Sequence, residues 1–142
     1  TVENPYYNYK AYSSNFSGND DSDANIRYLR YAEVLLMKAE ALNELNQTSA
    51  AIPYLNQVRN RAGLANTTAT TQADLRTAIY KERRLELAFE HDRWFDIIRT
   101  GQAQSAMAAN GKTFVVGKHE VYPIPQSFIN ESKGLSQQNP NY

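Results

Sequence analysis

The sequence predicts a mostly α-helical fold, in which a tetratricopeptide-like helical hairpin and a long buried helix precede a small C-terminal β-ribbon, with loop-rich ends. Three observations support this fold class. Apolar residues recur at steps of three and four between residues 26 and 99, which is the spacing of one helix face. Residues 1–25 lack this periodicity and are predicted to form a Tyr-rich loop. A short run typical of a strand appears only at Thr113–Val116.

The first two helices form the predicted hairpin, residues 26–64. The first should end near Leu45–Asn46, where Asn tolerates a left-handed backbone. The second should begin near Thr48–Ser49, which can cap a helix, and end at Gly63, with a kink or shifted start at Pro53. The expected apolar positions are Tyr28, Tyr31, Ala32, Leu35, Ala39, Leu42, Ala51, Leu55, Val58 and Ala62. The match to the tetratricopeptide template is loose, and because one hairpin cannot close a solenoid core, we expect the chain to belong to a larger body.

A long helix and a short one are predicted within residues 71–109. Thr71 and Asp74 form a capping-box pattern at the start of the long helix. This helix should continue to about Arg99, just before Gly101, and the short helix should follow. Apolar residues near its end point in almost every direction, which is typical of a buried helix.

The last part of the chain, residues 110–142, changes character. Thr113–Val116 and Glu120–Tyr122 are predicted to pair as a β-ribbon, after which two prolines prevent a regular ladder. A Pro-rich tail follows, with one turn of helix expected at Gln126–Asn130. The length fits a single domain spanning residues 1–142.

The composition excludes several classes of function. Lys and Arg total 15 and Asp and Glu also total 15, so the clustered positive charge of a nucleic-acid-binding protein is missing. Zero Cys and two His argue against thiol chemistry and metal sites, and no phosphate-binding or cofactor-binding loop occurs. The longest apolar run, Val34–Met37, is too short to span a bilayer. The 10 Tyr and many Asn and Gln would suit a neutral, hydroxyl-rich ligand, although the composition alone favours solvated loops and core tyrosines as their explanation.

Five positive and five negative residues lie between Lys81 and Arg99. Because this stretch is also rich in apolar residues, the charges should be paired internally, since an isolated buried charge is costly. The predicted structural ion-pair network comprises Glu82, Arg83, Arg84, Glu86, Glu90, Arg93, Asp96 and Arg99. Opposite charges three residues apart are the expected pairs, namely Arg83–Glu86, Glu90–Arg93, Arg93–Asp96 and Asp96–Arg99.

An acid–base pair of a glycosidase is the alternative interpretation of the same glutamates. Glu82 with Glu86, or Glu86 with Glu90, could reach the separation of roughly 5–9.5 Å that such enzymes need. Each has an arginine nearby, however, and this lowers the pKa of a carboxyl rather than raising it. We therefore predict no catalytic residues, and neither histidine has enough converging ligands beside it for a metal site.

Several sequence blocks resemble the C-terminal region of the SusD/RagB family. The blocks are Arg30–Met37 (RYAEVLLM), Ala39–Glu44, Leu55–Leu64 (LNQVRNRAGL), Glu82–Glu90, Arg93–Asp96 (RWFD), Pro123–Pro125 and Gln138–Tyr142. They follow the order of the family and cover about residues 26–142. His91 and Asn141 stand where glycine is more usual.

The resemblance implies a non-catalytic, surface-exposed outer-membrane lipoprotein of Bacteroidetes-type bacteria. Such proteins use a helical scaffold to cap a SusC-like TonB-dependent transporter. They bind glycans, or in some members peptides, and deliver them to the transporter without chemistry or a cofactor. The lipid anchor would lie outside this chain, which we then expect to be a scaffold-bearing C-terminal fragment.

The ligand-binding residues stay unknown, because in this family ligand contacts come largely from loops upstream of the C-terminal region. Tyr6, Tyr7 and Tyr12 are the weak candidates for stacking on a sugar ring, whereas Trp94 is expected in the core. The alternative function is a tetratricopeptide-type adaptor that grips the helix or tail of a partner protein without binding glycan.

Overall fold

Six helices and one short strand pair make up the regular structure of residues 8–11, 16–18, 21–22 and 27–142, which are the residues that the computed structural model describes. The helices are α1 (Tyr31–Glu44), α2 (Thr48–Arg61), α3 (Gln72–Glu86), α4 (Arg93–Arg99), α5 (Ala103–Ala108) and α6 (Gln126–Glu131). Strands β1 (Phe16–Gly18) and β2 (Asp21–Ser22) pair antiparallel, and a 3-10 turn spans Tyr9–Ala11. The chain divides into two compact units, Thr1–Arg93 and Trp94–Tyr142.

Helices α1, α2 and α3 enclose the apolar core of the first unit. The core residues are Ala32, Leu35, Leu36, Ala39, Ala51, Leu55, Val58, Leu75 and Ile79. Those on α1 and α2 recur at the predicted steps of three and four, so the hairpin stripe is confirmed over most of its length. Tyr28, Tyr31 and Ala62 are exceptions: the two tyrosines are 86% and 73% exposed, and Ala62, which follows α2, is also exposed. Residues 27–30 precede α1, so this helix begins later than the sequence predicts.

Both helices of the hairpin end where the sequence predicts. Asn46 follows α1 with φ 61° and Gly63 follows α2 with φ 74°, so both take the left-handed conformation that closes a helix. The Gln47 N–H donates to the Leu42 carbonyl at 2.8 Å, as in a helix-terminating turn. Pro53 lies within α2, and the helix continues on both sides of this residue.

A buried asparagine joins the ends of these three helices. Asn43 is fully buried, and its Nδ2 donates to the Gln72 carbonyl at 2.9 Å, while Gln72 Nε2 donates to the Asn43 carbonyl at 2.7 Å. The Thr48 hydroxyl donates to Asn43 Oδ1 at 3.0 Å. Because a buried amide is costly unless it is bonded, this reciprocal arrangement selects one packing of the helix ends.

The long helix predicted to reach Arg99 is wrong, because residues 87–92 interrupt it between α3 and α4. Phe89 and His91 have φ values of 65° and 71°. A positive φ costs a residue other than glycine roughly 1–2 kcal/mol, so contacts from elsewhere must compensate. The expectation of burial on all sides is also wrong, since Leu85 is 59% and Phe89 77% exposed.

The second unit has a small core of its own. Ile97, Ala103 and Phe114 are buried together, and the ring of Trp94 meets that of Phe114 edge-on, with centroids 6.2 Å apart. The expectation that Trp94 contributes to a core is confirmed. Gly101, with φ 68°, ends α4 as predicted, and the short helices α5 and α6 lie close to their predicted positions.

The predicted C-terminal β-ribbon is wrong: no strand forms between residues 110 and 142, all of which the structure describes. Side chains of the tail, residues 138–142, bond this backbone instead. Gln138 both accepts from the Ile124 N–H at 2.7 Å and donates to the Ile124 carbonyl at 2.9 Å. The other bonds are Asn139 Nδ2 to the Tyr122 carbonyl (2.7 Å), Asn141 Nδ2 to the Gly117 carbonyl (2.8 Å) and Tyr142 Oη to the Val121 carbonyl (2.9 Å). Residues 116–120 form turns, in which the Lys118 and His119 N–H groups donate to the Val115 carbonyl, so this backbone does not extend into two strands, and the side chains of the tail satisfy its carbonyls.

Candidate functional site

Glu86 and Glu90 lie at the centre of a group of ionised side chains in the first unit. Arg30 contacts both: its Nη1 is 2.7 Å from Glu86 Oε1 and its Nε is 2.6 Å from Glu90 Oε2. Arg61 Nη2 lies 2.5 Å from Glu86 Oε2, and Lys10 Nζ lies 2.5 Å from Glu90 Oε1. We refer to these five residues as the ion-pair cluster. All four carboxylate oxygens therefore have a cationic partner.

Three of the five residues of the ion-pair cluster lie at the ends of helices. Arg30 is the N-cap residue of α1, and its extended backbone (φ −130°, ψ 155°) leads the chain into that helix. Arg61 is the last residue of α2 and Glu86 the last of α3. Lys10 Nζ and Arg30 Nη2 donate to the Glu86 carbonyl, at 2.5 and 2.8 Å. Positive groups are favourable at the C-terminus of a helix, where carbonyls are left without partners inside the helix.

Two further ion pairs link α3 to the hairpin. Arg59 Nη1 on α2 lies 2.8 Å from Glu82 Oε2, and Arg83 Nη2 lies 3.6 Å from Glu33 Oε1 on α1. Glu33, Glu82 and Arg83 are all buried. Because these buried charges are matched across helices, α3 can contact α1 and α2 in only one register without leaving a charge unpaired.

Three glutamates of the predicted network have cationic partners that the expected local pairs did not include. Glu82, Glu86 and Glu90 bond cations that lie outside the stretch. Asp96 and Arg99 do pair with each other, at 2.9 Å within α4. Arg84 is exposed, and Arg93 begins α4. A structural role for the network as a whole stays a prediction.

Four of the five partners that the sequence analysis missed lie in the sequence blocks already identified. The partners are Lys10, Arg30, Glu33, Arg59 and Arg61. Arg30 and Glu33 open the block RYAEVLLM, and Arg59 and Arg61 lie in LNQVRNRAGL. An arginine at the start or end of an apolar helix indicates that an acidic side chain pairs with it elsewhere in the chain. Spacing along the sequence does not identify which acidic residue that is. Lys10 carries no comparable signal.

Arg30 and Glu90 stabilise each other's charged form. Burial alone would raise the pKa of Glu90, but hydrogen bonds from Arg30 and Lys10 outweigh it and hold that pKa below its usual value. Burial would lower the pKa of Arg30, but its hydrogen bonds to Glu90 and Glu86 outweigh that effect and raise it. Both groups are consequently charged at neutral pH.

This arrangement suits a structural role better than acid–base chemistry. A general acid needs a raised pKa and an open path to substrate, whereas the Glu90 pKa is lowered and its side chain is 12% exposed. Among the described residues, no group of three or more His, Asp or Glu could hold a metal ion. No helix in the described part of the chain is both long enough and apolar enough to cross a bilayer.

The three tyrosines predicted as weak ligand contacts, Tyr6, Tyr7 and Tyr12, lie outside the described residues, so their role stays a prediction. The first unit does expose other aromatic side chains to solvent. These are Tyr9, Tyr28, Tyr31 and Phe89. Tyr9 adjoins Lys10 in sequence, Tyr31 adjoins Arg30, and Phe89 adjoins Glu90, so the exposed aromatic residues flank members of the ion-pair cluster.

Known proteins are similar to this chain in sequence and in fold. The model of the SusD family matches residues 2–142. SusD-like protein P2 of Formosa agariphila is 34% identical over 152 residues, which cover 96% of this chain and 29% of that protein. The starch-binding protein SusD of Bacteroides thetaiotaomicron is 30% identical over 140 residues, covering 93% of this chain and 24% of that protein.

A solved structure with the same fold is a laminarin-binding SusD-like protein. Its TM-score is 0.65 with 41% sequence identity, and the match covers 80% of this chain and 22% of that one. The chain thus spans less than a third of the length of these relatives. Because the family model matches nearly the whole chain, the resemblance drawn from the sequence is confirmed, and this chain belongs to the SusD family.

Proposed function

We propose that this chain is the scaffold of a non-catalytic glycan-binding protein on the outer surface of a bacterium. The observation that carries the proposal is the family match over residues 2–142, together with relatives named for binding starch and laminarin. Proteins of this family bind carbohydrate rather than transform it. The full-length protein would deliver an oligosaccharide to a SusC-like TonB-dependent transporter, anchored by a lipid outside this chain.

The ion-pair cluster supports the scaffold role. Its carboxylates are 9% and 12% exposed and all their oxygens contact cations, so little acceptor capacity is left for a sugar hydroxyl. A sugar site needs accessible aromatic faces beside free amide or carboxylate groups. We therefore assign the glycan contacts to other parts of the full-length protein, with Tyr6, Tyr7 and Tyr12 as the candidates within this chain.

Affinity electrophoresis and calorimetry of the full-length protein against starch, laminarin and a panel of other neutral glycans test the glycan-binding part. We expect saturable binding to at least one glycan, with no release of reducing sugar on prolonged incubation. Glu86→Gln serves as the control for hydrolysis. Glycan cleavage that disappears in Glu86→Gln would replace this proposal with an enzyme, and binding to no glycan but to a protein segment would favour the adaptor alternative.

Purification of the tagged full-length protein from its native membrane tests the delivery part. We expect a TonB-dependent transporter to copurify in near-equal amounts, and the protein to be digested by protease added to intact cells. Protection from protease in intact cells, together with loss of the transporter, would contradict the proposed location and partner.

A further inference from the structure

The break between α3 and α4 is not explained by its own sequence. Between Glu86 and Thr100 there is neither Gly nor Pro, and Leu87 and Ala88 are strong helix formers. The chain nevertheless leaves the helix, with Phe89 and His91 in the left-handed region. A bulky residue such as Phe89 adopts this conformation only when surrounding contacts enforce it.

The contacts at this break replace the bonds that a continuous helix would make. In an α-helix the Glu90 N–H would donate to the Glu86 carbonyl. Here it donates to the Leu87 carbonyl at 3.0 Å, while the Glu86 carbonyl accepts from Lys10 Nζ at 2.5 Å and Arg30 Nη2 at 2.8 Å. The Ala88 carbonyl, the helical partner of residue 92, accepts from Lys10 Nζ at 3.1 Å.

The same two cations also hold the far side of the break. Glu90 Oε1 accepts from Lys10 Nζ at 2.5 Å and Glu90 Oε2 accepts from Arg30 Nε at 2.6 Å. Lys10 and Arg30 precede Glu86 by 76 and 56 residues. The side-chain bonds on both sides of the break are therefore tertiary, and both of their donors are cations.

We propose that Lys10 and Arg30 form a clamp that keeps residues 87–92 in a non-helical conformation, and that this segment continues α3 as a helix when the clamp is released. The clamp makes the segment a conformational switch, because withdrawal of the Lys10 segment or loss of charge on Glu90 would free the Glu86 and Ala88 carbonyls for helical bonds. The inference does not depend on glycan binding.

Backbone chemical shifts of residues 87–92 test the clamp in the 142-residue chain. In the double variant Lys10→Met with Arg30→Met, we expect the Cα and Cβ shifts of Phe89 and His91 to become helical, and exchange of the Glu90 amide hydrogen to slow at least tenfold. Arg76→Met is the matched control, because it removes an arginine that pairs with Glu44 away from the break. A folded double variant that retains left-handed shifts at Phe89 and His91 would overturn the proposal.

Should the double variant not fold, Lys10→Met alone provides the test, since Arg30 then remains to pair with both glutamates. A partial helical population at residues 87–92 is expected in this variant. Adding Phe89→Gly should reverse it, because glycine takes a positive φ without strain. Wild-type shifts in Lys10→Met, or helical shifts that Phe89→Gly leaves unchanged, would count against the clamp.

Discussion

Arg30 pairs with both carboxylates of the ion-pair cluster. Its guanidinium bonds Glu86 Oε1, Glu90 Oε2 and the Glu86 carbonyl with three different nitrogens. The planar fork of arginine can direct several donors at once, which the single ammonium of lysine cannot do in the same geometry. One side chain thereby joins the start of α1, the end of α3 and the turn that follows it.

Glu86→Ala should lower the free energy of unfolding by about 2–4 kcal/mol, because it leaves Arg30 partly buried with one partner fewer. Urea denaturation followed by circular dichroism measures the change. Glu44→Ala is the control, since Glu44 also pairs with an arginine, Arg76, but the Glu44 side chain is 41% exposed, far more than that of Glu86, and the loss should be smaller. A loss below about 0.5 kcal/mol for Glu86→Ala would mean that the ion-pair cluster contributes little to stability.

Glu90 should make the stability of the first unit depend on pH. The folded state holds the Glu90 pKa below its value in the unfolded chain, so the unfolded state binds a proton more readily. The stabilisation is complete above the ordinary glutamate pKa of about 4.3 and is lost as the pH falls through the lower folded value.

Urea midpoints measured from pH 6 to pH 3 should therefore fall more steeply for the wild type than for Glu90→Gln. Glu131→Gln, which changes an exposed glutamate at the end of α6, should leave the wild-type slope unchanged. Parallel curves for the wild type and Glu90→Gln would show that Glu90 does not contribute to the acid sensitivity.

At the scale of elements, the helix ends that local chemistry specifies agree with the sequence. The Thr71 hydroxyl accepts from the Asp74 N–H at 3.1 Å, so the predicted cap of α3 is confirmed. Asn46, Gly63 and Gly101 have positive φ where helices were predicted to end. The break after Glu86 was missed because its stabilising bonds come from Lys10 and Arg30, which no local pattern connects to it.

Side chains of the tail, residues 138–142, bond the backbone of residues 117–124, where the sequence predicted a strand pair. In Gln138→Ala both bonds to Ile124 are lost, and we expect hydrogen exchange of the Ile124 amide to accelerate at least tenfold, because local opening then exposes it. Amide hydrogen exchange followed by NMR measures this. Gln137→Ala, which changes the exposed neighbouring glutamine, should have no such effect. Unchanged protection of Ile124 in Gln138→Ala would mean that the tail does not hold this backbone.

At the scale of the whole molecule, the described residues form two apolar cores, one in each unit. One is built by α1, α2 and α3 around residues such as Leu36 and Leu55, and the other surrounds Ile97 and Phe114. Equal numbers of acidic and basic residues give a formal net charge of zero, so long-range steering of a charged ligand is not expected.

The sequence by itself determined the helical class, the hairpin stripe, the caps and the family, because each of these depends on neighbouring residues or on a linear order of motifs. Only the tertiary structure decided which cations neutralise Glu82, Glu86 and Glu90, where the long helix breaks, and how the last residues replace a ribbon. The physical reason is distance along the chain. A charge or a free carbonyl can be satisfied by any complementary group that folding brings within about 3 Å, and sequence spacing does not identify that group.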